Sequence, residues 1–189
     1  MTSVRLSAGS LRGRRIPLPE GLELRPTSDM ARQAYFNIVN ASIEGARFLD
    51  LFSGTGAFAF EAVSRGAGSA VAVDRSPKST RRIEATAAQL QVKIETITGD
   101  AVTAVKRRWP EPFDLVYADP PFDYPGYQEL VDAIDATLPL SPVATVAIEH
   151  RSDGIPFRSD SYQRLVFRRD AHYGNVAISI FDTADDENA

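Results

Sequence analysis

The residues best suited to chemistry in this sequence are acids placed just before turns. Asp119 opens the run Asp119-Pro120-Pro121-Phe122, directly after the apolar stretch 113–118. Proline has no backbone N–H to donate, so the carbonyls of Asp119 and Pro120 are expected to face outward beside the Asp119 carboxylate. Such a set of acceptors suits an exocyclic amine on a nucleobase. That amine is a poor nucleophile because its lone pair is delocalised into the ring. Hydrogen bonds to Asp119 and to the Pro120 carbonyl would draw it toward tetrahedral geometry, and the carboxylate would stabilise positive charge growing on nitrogen during methyl transfer. Phe122 would stack on a base that has left its own stack. A plain proline turn at a strand end is the simpler alternative.

Three more acids, Asp50, Asp74 and Asp100, end three earlier stretches. Residues 48–56 read Phe-Leu-Asp-Leu-Phe-Ser-Gly-Thr-Gly: a short apolar run fit for a buried parallel strand, then a tight turn from Ser53 to Gly56. Residues 57–65 favour a helix and Gly66 is placed to stop it. Strand, glycine turn and helix form the first half of a doubly wound α/β sheet, where a ligand lies across the strand's carboxyl end. Gly54, Gly56 and Ala59 fit the dinucleotide pattern G-x-G-x-x-G/A, with Asp74 twenty residues after Gly54, so a nicotinamide cofactor competes for the site. Asp50 argues against it. A carboxylate at the turn repels a pyrophosphate and suits a cationic ligand, and S-adenosylmethionine carries a sulfonium and an ammonium group with no phosphate. Asp74 is then placed for the ribose diol and Asp100 for the adenine amino group. Taken singly, each acid is adequately explained as a helix cap; three on one sheet edge with a glycine turn point to a cofactor.

The remaining elements follow from periodicity and breakers. Residues 4–19 suggest two short strands around Ala8-Gly9-Ser10, with arginines at Arg12, Arg14 and Arg15. Thr27 or Ser28 is expected to cap a helix buried through Met30, Ala34 and Ile38, with Tyr35 and Val39 alongside. Strands are expected at 69–74, 94–98, 113–118 and 145–149, and helices at 77–91, 101–109 and 127–138. The runs 162–167 and 176–181, joined through His172-Tyr173-Gly174-Asn175, read as an antiparallel hairpin closing the sheet. No helix of length fits between Glu149 and Tyr162. The division expected is a basic hairpin extension at 1–28, the main domain at 29–182, and an acidic, disordered tail at 183–189.

Composition narrows the chemistry. The 189 residues are 43% hydrophobic and 24% charged, as in ordinary globular proteins, with no apolar run long enough to span a membrane and no secretory signal. There is no cysteine, which removes disulfides, iron–sulfur clusters, thiolate zinc and a cysteine nucleophile; two histidines, His150 and His172, do not make a metal-ligand pattern. The expected location is the cytoplasm. Net charge is −4, but residues 1–20 hold four arginines against Glu20 alone, so an anionic partner is expected at that end. Arginine is the side chain suited to bidentate phosphate contacts; a solvated hairpin is the alternative.

Asp-Leu-Phe-Ser-Gly-Thr-Gly, Val-Asp-Arg-Ser, Gly-Asp-Ala and Asp-Pro-Pro-Phe, in that order, resemble the class I amino-methyltransferases. More narrowly, Leu11-Arg12-Gly13-Arg14-Arg15-Ile16-Pro17, Leu24-Arg25-Pro26-Thr27-Ser28-Asp29, Phe36-Asn37 and Tyr173-Gly174 are similar to the RsmD family. The resemblance implies a Rossmann-like, three-layer α/β fold whose mostly parallel seven-stranded sheet has its last strand antiparallel. It implies methylation of the 2-amino group of one guanine in 16S ribosomal RNA of the small subunit; a monomer needing no metal is expected as well. The cofactor residues expected are Asp50, Ser53, Gly54, Gly56, Asp74, Arg75, Asp100 and Ala101; the catalytic ones Asp119, Pro120 and Phe122; those contacting RNA Arg12, Arg14, Arg15 and Arg25. The family usually carries Arg-Glu in its first helix, where this chain has Arg32-Gln33. A DNA adenine amino-methyltransferase and a non-catalytic RNA-binding module on the same fold are the alternative readings.

Overall fold

The computed structural model describes residues 3–19, 26–154, 157 and 162–184. Val4 and Ile16 pair across a small antiparallel hairpin, β1 (Ser3–Arg5) and β2 (Arg15–Pro17), and both are buried. Helix α1 (Pro26–Ile38) begins at a proline, whose fixed φ suits a first helical position. Thr27 and Ser28 therefore lie within its first turn, past the position expected for a cap. Its buried stripe is also shifted from the expected one. Ala31, Tyr35, Phe36 and Val39 face inward while Met30 is 55% exposed, because the two large aromatic rings gain most from burial.

The main sheet comprises β3 (Arg47–Leu51), β4 (Ser69–Asp74), β5 (Glu95–Thr98), β6 (Phe113–Ala118), β7 (Leu140–Arg151), β8 (Leu165–Tyr173) and β9 (Val176–Thr183). Their order is β5-β4-β3-β6-β7-β9-β8, and β9 runs antiparallel to both neighbours. Helices α2 (Ala57–Ser64), α3 (Pro77–Leu90), α4 (Ala101–Val105) and α5 (Tyr127–Thr137) make the crossovers. Alternation along the strands splits the core in two. Phe48, Leu115 and Tyr117 join Tyr35, Phe36, Phe60 and Ile83 on one face, while Leu49, Leu51 and Val116 join Val105, Leu130 and Ile134 on the other. The sheet is thus the middle of three layers, and the strand order reverses between β3 and β6, where α/β folds open a ligand crevice.

Four boundaries differ from expectation. β7 begins at Leu140 because Leu140 pairs with Phe113, before a register shift that takes the chain past Pro142 to the Leu115–Thr145 pair, a route the proline hides from a sequence reading. β8 starts later and runs to Tyr173, carrying Arg168, Arg169 and Asp170, charges that an edge strand tolerates. α4 stops at Val105, four residues early, and the Trp109 indole Nε1 donates to the Ala104 carbonyl at 3.1 Å. β9 extends through Thr183, which places that residue in the sheet and not in a tail; residues 185–189 lie outside the described part.

Candidate active site and nucleic-acid face

At the carboxyl end of β3, Asp50 is 2% exposed and its Oδ2 accepts the N–H of Ala59 in the first turn of α2 at 3.1 Å. Burial pushes its carboxyl up to about 8; the Ala59 bond opposes this and the nearby Asp74 charge adds to it. The turn that follows is tightly drawn. Phe52 (φ 60°), Gly54 (φ 52°) and Gly56 (φ 77°) all have positive φ, and a Cβ on Gly56 would lie 2.9 Å from Ile83 Cγ1. For a bulky residue such as Phe52 this conformation costs about 1–3 kcal/mol, the kind of strain that gathers at functional sites.

Asp74 locks that turn from the next strand. Its Oδ2 accepts from Gly54 N and its Oδ1 from Ser76 N, each at 2.8 Å. Asp100 caps α4, its Oδ1 accepting from Thr103 N at 2.9 Å and Thr103 Oγ1 at 3.2 Å. Every acid thus anchors backbone as well as facing the edge. An ionised carboxylate has about four acceptor positions, so these bonds leave capacity for a diol or an amine.

Asp74, Arg75, Asp100, Ala101 and Asp119 line one cleft, together with Phe52, Val73, Gly99, Pro121 and Tyr124. Asp50, Ser53, Gly54 and Gly56 build the turn beside it without lining it. The aromatic wall escaped the sequence reading. Phe52 meets Tyr124 edge-on at 5.1 Å, and burial, then Asp100, raises the Tyr124 phenol above its ordinary value. The signal was there in part, since Tyr124 lies two positions past Phe122, which the sequence does single out. Beneath the edge, the hydroxyls of Ser53 and Tyr35 are buried with no hydrogen-bond partner among the described residues. Tyr35 lies close enough to Asp50 for the carboxylate's charge to add to the rise that burial gives its phenol.

Asp119 is half-buried, its N–H donating to the Leu51 carbonyl at 3.3 Å, which ties the Asp-Pro-Pro-Phe corner to β3. Pro120 is buried. The Pro121 carbonyl accepts from Tyr124 N at 2.8 Å and Tyr127 Oη at 3.4 Å. Phe122 is half-buried against the Tyr35–Tyr117 side of the core and does not line the cleft. Its aromatic face is less open than expected.

Arg12, Arg14 and Arg15 are exposed, and so is Arg5. Arg5 stands directly opposite Arg15, a like-charge pair that is unfavourable in isolation. None of the four makes an ion pair among the described residues. Arg25 lies outside the described residues. The hairpin loop is fixed to α2: Ser10 N donates to Ser64 O at 2.6 Å and Leu11 N to Ser64 Oγ at 3.0 Å. Fully buried Glu61 accepts from Ser7 N (3.0 Å), Ser7 Oγ (2.6 Å) and Arg65 Nε (2.9 Å), and Arg32 Nε lies 3.8 Å away. Arg32 also donates to Arg5 O at 3.1 Å and Asp29 Oδ1 at 2.7 Å. Gln33, by contrast, is exposed and lines an open cleft with Arg5, Arg12 and Asp29. Among the described residues no cluster of His, Asp and Glu could hold a metal ion, and no helix is long and apolar enough to cross a membrane.

Seven strands in this order, with β9 alone reversed and acids at three successive carboxyl ends, make the Rossmann-like class I methyltransferase fold. The structure of yhhF from Escherichia coli, described as a candidate methyltransferase, superposes with a TM-score of 0.84 at 25% identity, covering 97% of this chain and 99% of that one. The chain belongs to the family described as Conserved hypothetical protein 95, whose model matches residues 4–182, and which is the RsmD family of methyltransferases. Its relatives include the candidate rRNA methyltransferase YlbH of Bacillus subtilis, 29% identical over 185 residues, covering 94% of this chain and 98% of that protein. Ribosomal RNA small subunit methyltransferase D of Escherichia coli is 28% identical over 154 residues, covering 81% and 78%.

Proposed function

We propose that this protein uses S-adenosylmethionine to methylate the 2-amino group of a guanine in 16S ribosomal RNA, acting as a cytoplasmic monomer on the small subunit or its precursor. The observation that carries the reading is Asp119, held at the end of β6 on the rim of the cleft that Asp74 and Asp100 also line. The relation to small-subunit rRNA methyltransferases supports ribosomal RNA over DNA. Bound S-adenosylmethionine supplies an electrophilic methyl group on a sulfonium centre.

The chain's own residues do the rest. Asp74 accepts from the ribose diol, Asp100 from the adenine amino group, and the Phe52–Tyr124 wall covers the purine. Asp50 would ionise against the ammonium group of the bound cofactor. Asp119 and the Pro120 carbonyl accept the two hydrogens of the target amine, holding its lone pair toward the cleft. Asp119 would stabilise the positive charge that methylation builds on the amine nitrogen and take up its surplus proton along the same hydrogen bond. Phe122 swings onto the extruded base. Arg12, Arg14, Arg15 and Arg25 hold the flanking phosphates.

The test is to offer labelled S-adenosylmethionine with DNA, free 16S RNA and small subunits, then digest the labelled product. Label in N2-methylguanosine from the RNA substrates is the expected result. Label in N6-methyladenine of DNA would establish the adenine reading instead, and cofactor binding without transfer to any substrate would favour a binding module.

A further inference from the structure

Glu149 has no place in the chemistry above, yet it stands beside Asp119. In the parallel pairing of β6 and β7, Tyr117 lies opposite Ala147 and Ala118 opposite Ile148. The next residues along both strands, Asp119 and Glu149, are therefore neighbours at the carboxyl edge. Glu149 shares its sheet face with Tyr117, whose Oη donates to Glu149 Oε2 at 2.5 Å. Only 2% of Glu149 is exposed. The phenols of Tyr117 and Tyr127 are both raised above their ordinary value, first by burial and then by the charges of Asp119 and Glu149, so both carboxylates act on one small region. A carboxylate in such a place needs hydrogen-bond partners, and Tyr117 is one of them.

We infer that Glu149 selects guanine at the target position, its carboxylate accepting the N1–H of the base while Asp119 accepts from the adjacent 2-amino group. This rests on the guanine reading proposed above. The chemistry is specific. Guanine presents donors at both N2 and N1, side by side. Adenine presents a donor at its amino group and an acceptor at N1, which would face the Glu149 carboxylate and be repelled. Two adjacent carboxylates make an acceptor-only edge, and a site built around a buried hydrogen bond rejects an analogue that lacks the matching group. The Tyr117 bond fixes the rotamer of Glu149 so that the edge is formed before the base arrives. Since Glu149 is covered, the base must displace side chains at the strand ends. Half-buried Phe122, packed against the same core as Tyr117, is the one placed to move.

The experiment uses small subunits reconstituted with 16S RNA bearing guanine, 2-aminopurine or 2,6-diaminopurine at the target position. Both analogues keep the 2-amino group but carry an acceptor at N1; both also lack the 6-oxygen, so only the part of a guanine preference that Glu149→Gln changes is assigned to N1. The wild-type protein is expected to prefer guanine by kcat/KM on the order of 10²-fold or more over either analogue. Glu149→Gln, whose amide can donate to an acceptor N1, should lower activity on guanine and shrink or invert that ratio. A Glu149 that merely held Tyr117 in place would lower all three substrates alike, and an unchanged ratio overturns the inference. So does a wild-type protein with no preference between guanine and the analogues, which keeps the idea falsifiable should the variant not fold. Absence of any 2-amino methylation on guanine overturns the proposed function itself, and this inference with it.

Discussion

The carboxylate of Asp74, at the end of β4, accepts the backbone N–H of Gly54 at 2.8 Å, so the acid proposed to bind the cofactor's ribose also holds the glycine turn that follows β3. Its other oxygen holds Ser76 N at the start of α3. One side chain thus couples three elements of the site.

Asp74→Ala should therefore weaken S-adenosylmethionine binding by about 1–3 kcal/mol, the range for losing a charged hydrogen-bond partner, and also lower the melting temperature because two backbone donors lose their acceptor. Calorimetry showing unchanged cofactor affinity would remove Asp74 from the site, and tighter binding of NAD than of S-adenosylmethionine would overturn the cofactor assignment.

Asp50 gives a pH dependence whose sign can be fixed. Its folded, ligand-free carboxyl sits at about 8 against an ordinary 3.8, so the folded protein holds a proton that the unfolded chain has lost. Stability from this group is fully present below the ordinary range and declines as pH rises through it toward 8, flat beyond. A cationic ligand reverses the preference and drives the proton off. Titration calorimetry at pH 7 in two buffers of different ionisation enthalpy should register proton release on S-adenosylmethionine binding, and Asp50→Asn should abolish it. Binding with no proton exchange would mean that the ligand's charge is met elsewhere.

Gly9 tests the hairpin mount. Its φ is +78°, and a Cβ there would fall 1.6 Å from the Ser64 carbonyl oxygen, so Gly9→Ala must push the loop off α2. The expected outcome is normal cofactor affinity with weakened binding to small subunits. Glu61→Gln attacks the same mount from below and should cost about 1–3 kcal/mol of stability, because the charge that Ser7 and Arg65 bond to is lost while Arg32 keeps Asp29 as its partner. A denaturation midpoint unchanged in Glu61→Gln would contradict that role.

The arginines make a different prediction. Arg12, Arg14 and Arg15 would repel a cationic cofactor, and a chain of net charge −4 needs local attraction to approach RNA. Replacing all three with alanine should leave cofactor binding intact and weaken RNA binding. It should also flatten the salt dependence, by up to ~0.7–0.9 in log–log slope for each phosphate that is no longer neutralised. Equal slopes for the variant and the wild type would return the hairpin to a solvated edge.

Much of this site was legible in the sequence because its parts are local. The apolar run before Ser53, the run ending at Asp74 and the one ending at Ala118 are strands with the expected ends, and the turn residues mark the edge where the acids gather. What could not be read depends on residues distant in sequence. Arg32 and Glu61 meet across the hairpin mount, and Tyr117 meets Glu149 only because β6 and β7 are neighbours in a particular register. The exposed Met30 illustrates a third limit: helical spacing gives a stripe, but Tyr35 and Phe36, lying on the adjacent stripe, decide which one turns inward. Phe52 joined the cleft through a positive φ that no residue type announces.

The central claim is that Asp119 acts on the target amine and not on the cofactor. Its most direct test is the single-turnover rate of methyl transfer to small subunits for Asp119→Ala at saturating S-adenosylmethionine, with cofactor affinity measured in parallel. Unchanged cofactor affinity and a loss of at least ~100-fold in rate is the predicted result, as for removal of one preorganised transition-state partner. Near-normal turnover would contradict it, and would mean that some other group positions the amine.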